Sequence, residues 1–223
     1  MRKYILIVLM LGLGLLAACD YMPENTLVQV GDTINFGNYN WQVIAIYDNN
    51  TALVITENVM MRSTFHDTQE LSITWDESDL RSYLNSVFLQ AFSEDEQKRI
   101  IPRINHTPNN EWYGTRGGHD TTDYIFLLSI GELVMYLGDS GQLENPAPSQ
   151  YGIHQWLLSD RYDAVRSAVD LDGAESWWWL RSPGFDLDFV ATVREDGSIR
   201  IDGNNINVSG GVRPALLLNL KVD

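Results

Sequence analysis

The sequence predicts a single α+β domain, built on a twisted antiparallel sheet with its helices in the middle of the chain. Three observations lead there. Runs rich in β-branched and aromatic residues sit near both ends, and three capping-box patterns fall between them. No internal repeat or interior linker divides the chain.

The N-terminal strands come first. Trp41–Tyr47 and Ala52–Thr56 flank Asp48-Asn49-Asn50, which reads as a β-hairpin. The second run is continuously apolar and is expected to be buried on both faces. Thr74-Trp-Asp-Glu77 has the form of a capping box, with Thr74 as N-cap and Glu77 reaching back to its amide. Leu80, Tyr83, Leu84, Val87 and Phe88 then recur at helical spacing and predict a core-facing stripe.

Ser93-Glu-Asp-Glu96 predicts a shorter helix carrying Ile100 and Ile101 and stopped by Pro102. Residues 105–122 are polar and glycine-containing, and read as a long loop. Tyr124–Leu128 predicts a short buried strand running into a third box, Ser129-Ile-Gly-Glu132, whose helix ends near Gly138. Residues 138–152 read as another loop, and 160–168 as a helix. Strands follow over 177–181, 189–194, 198–201 and 212–218, with Asp196-Gly197 as a hairpin turn.

Ahead of this domain, Arg2 and Lys3 precede an apolar run from Tyr4 to Ala18. Charge first and small residues last is the order of a secretory signal peptide, and the run is short for a membrane span. It ends in Leu16-Ala17-Ala18-Cys19, which resembles the bacterial lipobox, and Cys19 is the only cysteine in the chain. The expectation is cleavage before Cys19, lipidation of its thiol, a tether over 19–29 and a domain over 30–223. The domain would then lie outside the cytoplasm, touching the membrane through its lipid anchor alone. Asp20 would favour an inner membrane if the cell had two.

Removing residues 1–18 takes away Arg2 and Lys3 but no acid, so the net charge moves from −15 to −17. Such a surface repels nucleic acid and anionic headgroups, and suits cations, basic partners or neutral ligands such as glycans. With no further cysteine, the exported domain must be stabilised by its core without a disulfide.

Six stretches in order resemble the domain-of-unknown-function family numbered 6273. They are Phe36–Trp41, Thr74–Arg81 with Leu84-Asn85, Ala91–Glu94, Ile125–Ser129, Trp178–Gly184 and Gly211–Leu216. The last two are also similar to the end of the C-type-lectin-like and formylglycine-generating folds. That similarity implies a loop-rich α+β domain with nearby termini, and leaves function open. The motif residues Trp75, Arg81, Asn85, Trp179, Ser182 and Arg213 are expected to be structural. The formylglycine-generating enzymes act through cysteine thiols, which this domain lacks.

Trp178 and Arg181 are candidate ligand-binding residues, since an indole beside an arginine stacks on sugar rings or aromatic groups. The competing reading puts the tryptophans in the core, with Arg181 and Arg213 neutralising buried carboxylates. Trp112, Tyr113 and Arg116, with His119, make the 105–122 loop a second candidate face. Asp170-Leu-Asp172-Gly173 and Asp186-Leu-Asp188 have a calcium-loop flavour without the rest of an EF-hand, so calcium stays a minor option and no other cofactor is expected. His66, His106, His119 and His154 lack zinc spacing, and no nucleophile elbow, phosphate loop or dinucleotide fingerprint is present. The leading expectation is a non-catalytic recognition domain for a glycan or an envelope protein. A structural or assembly lipoprotein comes next, and an envelope hydrolase last.

Overall fold

The computed structural model describes residues 28–48, 50–67, 72–138 and 157–221. Cys19, most of the tether, His154 and nearly all of the 138–152 loop lie outside the described residues. No helix among the described residues is long and apolar enough to cross a membrane.

The chain opens with β1 (Thr33–Phe36), β2 (Tyr39–Asp48) and β3 (Thr51–Thr56) as antiparallel neighbours. Gly37 and Asn38, at φ 60° and 64°, make the tight turn between the first two. After β4 (Met61–Ser63), a 3-10 turn over Trp75–Glu77 leads into α1 (Asp79–Tyr83), which continues as a π-helical segment to Phe88. Then come α2 (Glu94–Arg99), β5 (Ile100–Ile101), β6 (Arg103–Asn105), β7 (Thr121–Asp123), β8 (Ile125–Phe126) and α3 (Ile130–Leu137). The last third holds β9 (Leu157–Leu158), α4 (Asp163–Arg166), β10 (Trp178–Pro183), β11 (Phe189–Val193), β12 (Ile199–Asn205), β13 (Gly210–Val212) and β14 (Ala215–Asn219).

The strands form two mainly antiparallel sheets where one was expected. The first has the order β1-β2-β3-β14-β5 with β8 also on β14, and the second the order β4-β13-β10-β11-β12-β9. β6 and β7 form a separate ribbon, and β10 with β13 is a parallel pair. The α+β class holds.

Two of the chain's crossings between the sheets, from β3 to β4 and from β13 to β14, lie side by side. Thr56 N–H donates to Pro214 O at 3.0 Å and Met60 N–H to Val212 O at 3.1 Å, so the two crossings are stitched together. Arg213 lies buried at this seam. Its Nε donates to Thr56 O at 2.7 Å, and its guanidinium sits 5.2 Å from the Trp178 ring centroid. Burial pulls its pKa down to about 10, which leaves it cationic at neutral pH. Among the described residues no carboxylate pairs with it at ion-pair distance, so the expected carboxylate partner is replaced by backbone carbonyls and an indole face. One connected cluster of buried residues draws on both sheets and on the helices.

Three local expectations are corrected. Thr74 makes no capping bond to the backbone; its hydroxyl bonds the Asp76 side chain, and Ser78 caps α1 by accepting from Arg81 N at 3.2 Å. The helix starts one turn late because Trp75 must first reach the core, where its Nε1 donates to Asp123 at 3.0 Å. Ile100 and Ile101 form a strand on Leu218 and Leu217 rather than the end of a helix. The helix predicted over 160–168 shrinks to Asp163–Arg166, where Arg166 is pulled inward onto Asp160, Asp163 and Gly138 O.

The boxes at Ser93 and Ser129 have both reciprocal bonds of the motif. In the predicted stripe, Leu80, Leu84 and Phe88 are buried, Tyr83 is half-buried and Val87 is exposed.

Candidate functional site

The motif arginines and their partners face inward. Asp123, fully buried, accepts from Arg81 Nε at 2.6 Å, Thr121 Oγ1 at 2.6 Å, and Trp75 Nε1 and Asn105 Nδ2 at 3.0 Å. Four donors on one carboxylate fix α1 against the β6–β7 ribbon. Asn85 acts as a substitute strand for Ile125: its Oδ1 accepts from Ile125 N at 3.2 Å and its Nδ2 donates to Ile125 O at 2.8 Å.

Arg181 donates to Leu127 O at 2.7 Å, His106 O at 2.9 Å and Thr107 Oγ1 at 3.2 Å, and pairs closely with Glu132. Next to it, Ser182 Oγ accepts from Ile130 N at 2.9 Å, which secures the start of α3. Burial alone would raise the Glu132 pKa. Arg181 and Arg103 outweigh that and hold the carboxyl below its ordinary value.

Of the two readings of Trp178 and Arg181, the structure takes the core one: both are buried, as is Trp179, and Arg181 neutralises the carboxylate of Glu132, so neither is a ligand-binding residue at the surface. Alternation along a strand exposes one face only if that face is uncovered. β10 lies inside its sheet, and all six of its residues are buried.

The 105–122 loop is different. Asn110 is buried and acts as its internal template. Its Nδ2 donates to Pro183 O and Ile201 O, both at 2.9 Å, which moors the loop to the end of β10 and the body of β12. Its Oδ1 accepts from Trp112 N at 3.0 Å and Tyr113 N at 3.2 Å, holding the next turn. Asn110 N donates to Thr115 O at 2.8 Å and closes it. Asn109 Oδ1 accepts from Gly117 N, where a Cβ would sit 1.9 Å from Thr107 O, so only glycine fits.

This wiring delivers Tyr113 to Phe185, with ring centroids 6.2 Å apart, and Phe185 packs on Phe189 at 4.4 Å. Thr115 Oγ1 donates to Phe185 O at 2.9 Å and locks the two loops together. Phe185 remains 45% exposed, a large ring left at the surface on a fixed mount. Arg200 lies alongside, gripping Asp202 at 2.9 Å and Asn204 at 2.6 Å. Burial and the charge of Asp202 raise the Tyr113 pKa, opposed by Arg200, so its hydroxyl stays protonated at neutral pH. Arg116 is exposed and reaches Ser72 Oγ at 3.3 Å.

Of the loop candidates, Trp112 is half-buried against the core and Arg116 reaches towards Ser72, whereas Tyr113 is brought together with Phe185, Phe189, Arg200 and Asp202. Sequence reading missed these four. Phe185 left one usable signal, an aromatic placed immediately after Pro183-Gly184 at a strand exit. Behind Trp112 lies a pocket of about 50 Å³ between Pro108–Trp112 and Ile130, Gly131 and Ser182.

The acidic turns do not converge. Asp170 Oδ1 is taken up by Asp172 N and Ala174 N, Asp186 by Leu187 N, and Asp188 faces Asn205. Among the described residues no three His, Cys, Asp or Glu side chains come together as a metal site. Each described histidine sits on its own aspartate: His66 on Asp79, His106 on Asp120 and His119 on Asp76.

The family model described as "Domain of unknown function (DUF6273)" matches residues 49–220. The chain belongs to this family. The match takes in Asp123, Arg181 and Arg213 together with the loop face. No curated protein and no solved structure matches the chain.

Proposed function

We propose that this DUF6273 protein is a non-catalytic recognition lipoprotein of the cell envelope, held by lipidated Cys19 and binding a neutral glycan on the Tyr113–Phe185 face. The exposed Phe185 ring, fixed by Tyr113, Phe189 and Thr115, is the observation that carries this reading. Sugar rings stack on such aromatic faces, and hydroxyls bond to adjacent planar polar groups such as Arg200, Asp202 and Asn204. A net charge of −15 disfavours anionic ligands, which supports a neutral one. A C-type-lectin-like fold belongs to this proposal, supported by the Trp178–Gly184 and Gly211–Leu216 stretches and the α+β arrangement.

The test is a glycan and protein array probed with the full chain in detergent, alongside Phe185→Ala. The reading expects glycan binding that Phe185→Ala weakens about tenfold, the scale of one lost aromatic contact. Blank glycans with a single stoichiometric envelope-protein partner would replace it with the assembly reading. Mass spectrometry should find the mature N-terminus at a diacylglycerol-modified Cys19, and an uncleaved leader would refute the anchor.

A further inference from the structure

We propose that this protein also docks a basic partner protein, one of whose lysine side chains enters the pocket between the β1–β2 turn, the β3–β4 crossing and the 170–173 turn. The proposal is independent of the glycan reading. It gives a part to the Phe36–Trp41 stretch, which the Tyr113–Phe185 face leaves unused.

The pocket has a volume of about 240 Å³ and is built from three separate parts of the chain. Asn38, Tyr39 and Asn40 come from the first family stretch, residues 56–60 from the crossing, and Leu171 from the turn. Backbone bonds hold these parts together: Glu57 N donates to Asn40 O and Val59 N to Val169 O, both at 3.0 Å. Gly173 N closes the turn on Asp170 O, also at 3.0 Å. Sites for whole drug-sized ligands begin at roughly 300 Å³, so this pocket suits a single side chain.

Its lining is divided between apolar and polar groups. Val59 is buried and Met60 half-buried, and Leu171 stands at the lip, 81% exposed. No large apolar side chain among the described residues is more exposed than Leu171. An alkyl chain laid along these three residues would cover apolar surface that Leu171 leaves in water. Glu57 is the one charged side chain of the lining. Its charge acts on buried Arg213, yet it makes no ion pair among the described residues. Asn38, Asn40 and Asn58 add amide oxygens. Those of Asn40 and Asn58 are held by Asn35 Nδ2 at 3.2 Å and Val169 N at 3.3 Å, and each keeps a lone pair.

Together these features narrow the ligand. A carboxylate among amide oxygens asks for a compact cation with several donors, which an ammonium group supplies. The apolar lining asks for an alkyl stem leading to that cation. A lysine side chain has both. An anion is opposed by Glu57 and by a net charge of −15. One carboxylate is a poor donor set for calcium, which takes about six to eight oxygens. A sugar would find no platform, because Tyr39, the one ring in the lining, is half-buried and packs on Trp41, Phe88 and Phe92.

The experiment is saturation-transfer NMR on the full chain in detergent at physiological salt, titrated with an end-blocked Gly-Gly-Lys-Gly-Gly peptide. Two further peptides carry Nε-acetyllysine or arginine in place of the lysine. Saturation should fall most strongly on the lysine methylene protons. Loss of the ammonium in the acetyllysine peptide, or of the carboxylate in Glu57→Gln, should weaken binding about fivefold, the scale of one exposed ion pair. Leu171→Ser should weaken it about threefold by removing part of the apolar contact. Both positions are exposed, so neither change threatens the fold. Glu195→Gln, in the β11–β12 turn, removes the same charge elsewhere and should leave the affinity unchanged. Absence of binding by a folded chain, equal binding of the acetyllysine peptide, or an affinity unmoved by Glu57→Gln overturns the proposal. So does an equal loss from Glu195→Gln, which would reduce the effect to general charge attraction. Tighter binding of the arginine peptide overturns the assignment to lysine. None of these outcomes touches the glycan array or Phe185→Ala.

Discussion

The seam between the sheets and the loop that carries Tyr113 are both organised by polar side chains, with opposite results. At the seam, Arg213 is buried on carbonyls and an indole face, and in β10 Arg181 is closed off by Glu132, two carbonyls and a threonine. Neither arginine has surface left for a ligand. In the loop, Asn110 uses every bond it makes to steer the backbone, and the result is an aromatic left exposed on a rigid support. The most conspicuous sequence motif is thus framework, and the plainer loop is where recognition is proposed.

Substitutions can break this contrast. Arg181→Ala should be the most damaging, because it takes from buried Glu132 one of its two arginine partners and leaves several acceptors unpaired. Loss of one partner of a buried pair costs about 3–5 kcal/mol, readable as a lower urea midpoint. A loss below about 1 kcal/mol would show that Arg181 is not part of the framework.

Asp123→Asn keeps the shape but removes the charge that holds Arg81, and should cost about 2 kcal/mol in the same assay. Equal stability to wild type would contradict the four-donor account.

Acid should reveal Glu132. Its folded pKa lies below the ordinary value of about 4.3, so its contribution is complete above that pH. The contribution fades as pH falls through 4.3 toward the depressed folded value, where the folded state must take up a proton. Urea midpoints between pH 6 and pH 3 should drop more steeply for wild type than for Glu132→Gln; parallel curves would argue against the pair.

Phe185→Ala should have the smallest effect on stability, within about 1 kcal/mol because the ring is half exposed, while glycan affinity falls. A large loss of stability would move Phe185 into the framework class.

Much of the framework was legible. The hairpin of β2 and β3 and the boxes at Ser93 and Ser129 depend on neighbours a few residues apart, and local chemistry reveals them. The start of α1 was misread because Thr74 has the form of its N-cap, whereas Ser78, four residues on, caps it. The distant Asp123, which accepts from Trp75 in the core, is what local sequence does not reveal. The strand at Ile100-Ile101 depends likewise on Leu217 and Leu218, more than a hundred residues away.

The 105–122 segment read correctly as a loop carrying aromatic candidates, yet nothing local marks Asn110 as its template. Its acceptors, Pro183 O and Ile201 O, are far along the chain. The choice between core and surface for Trp178 and Arg181 was left open by the sequence for a related reason. Whether a strand is covered on both faces depends on which elements stack against it, and a period of two does not carry that information.

The most direct test of the division between framework and face is hydrogen exchange with mass spectrometry on the full chain in detergent, with and without a neutral glycan bound on the array. The account predicts ligand-induced protection confined to peptides covering 108–118 and 183–190, with 211–218 already protected and unchanged. Protection appearing instead on 211–218, or spread evenly over the domain, would contradict it.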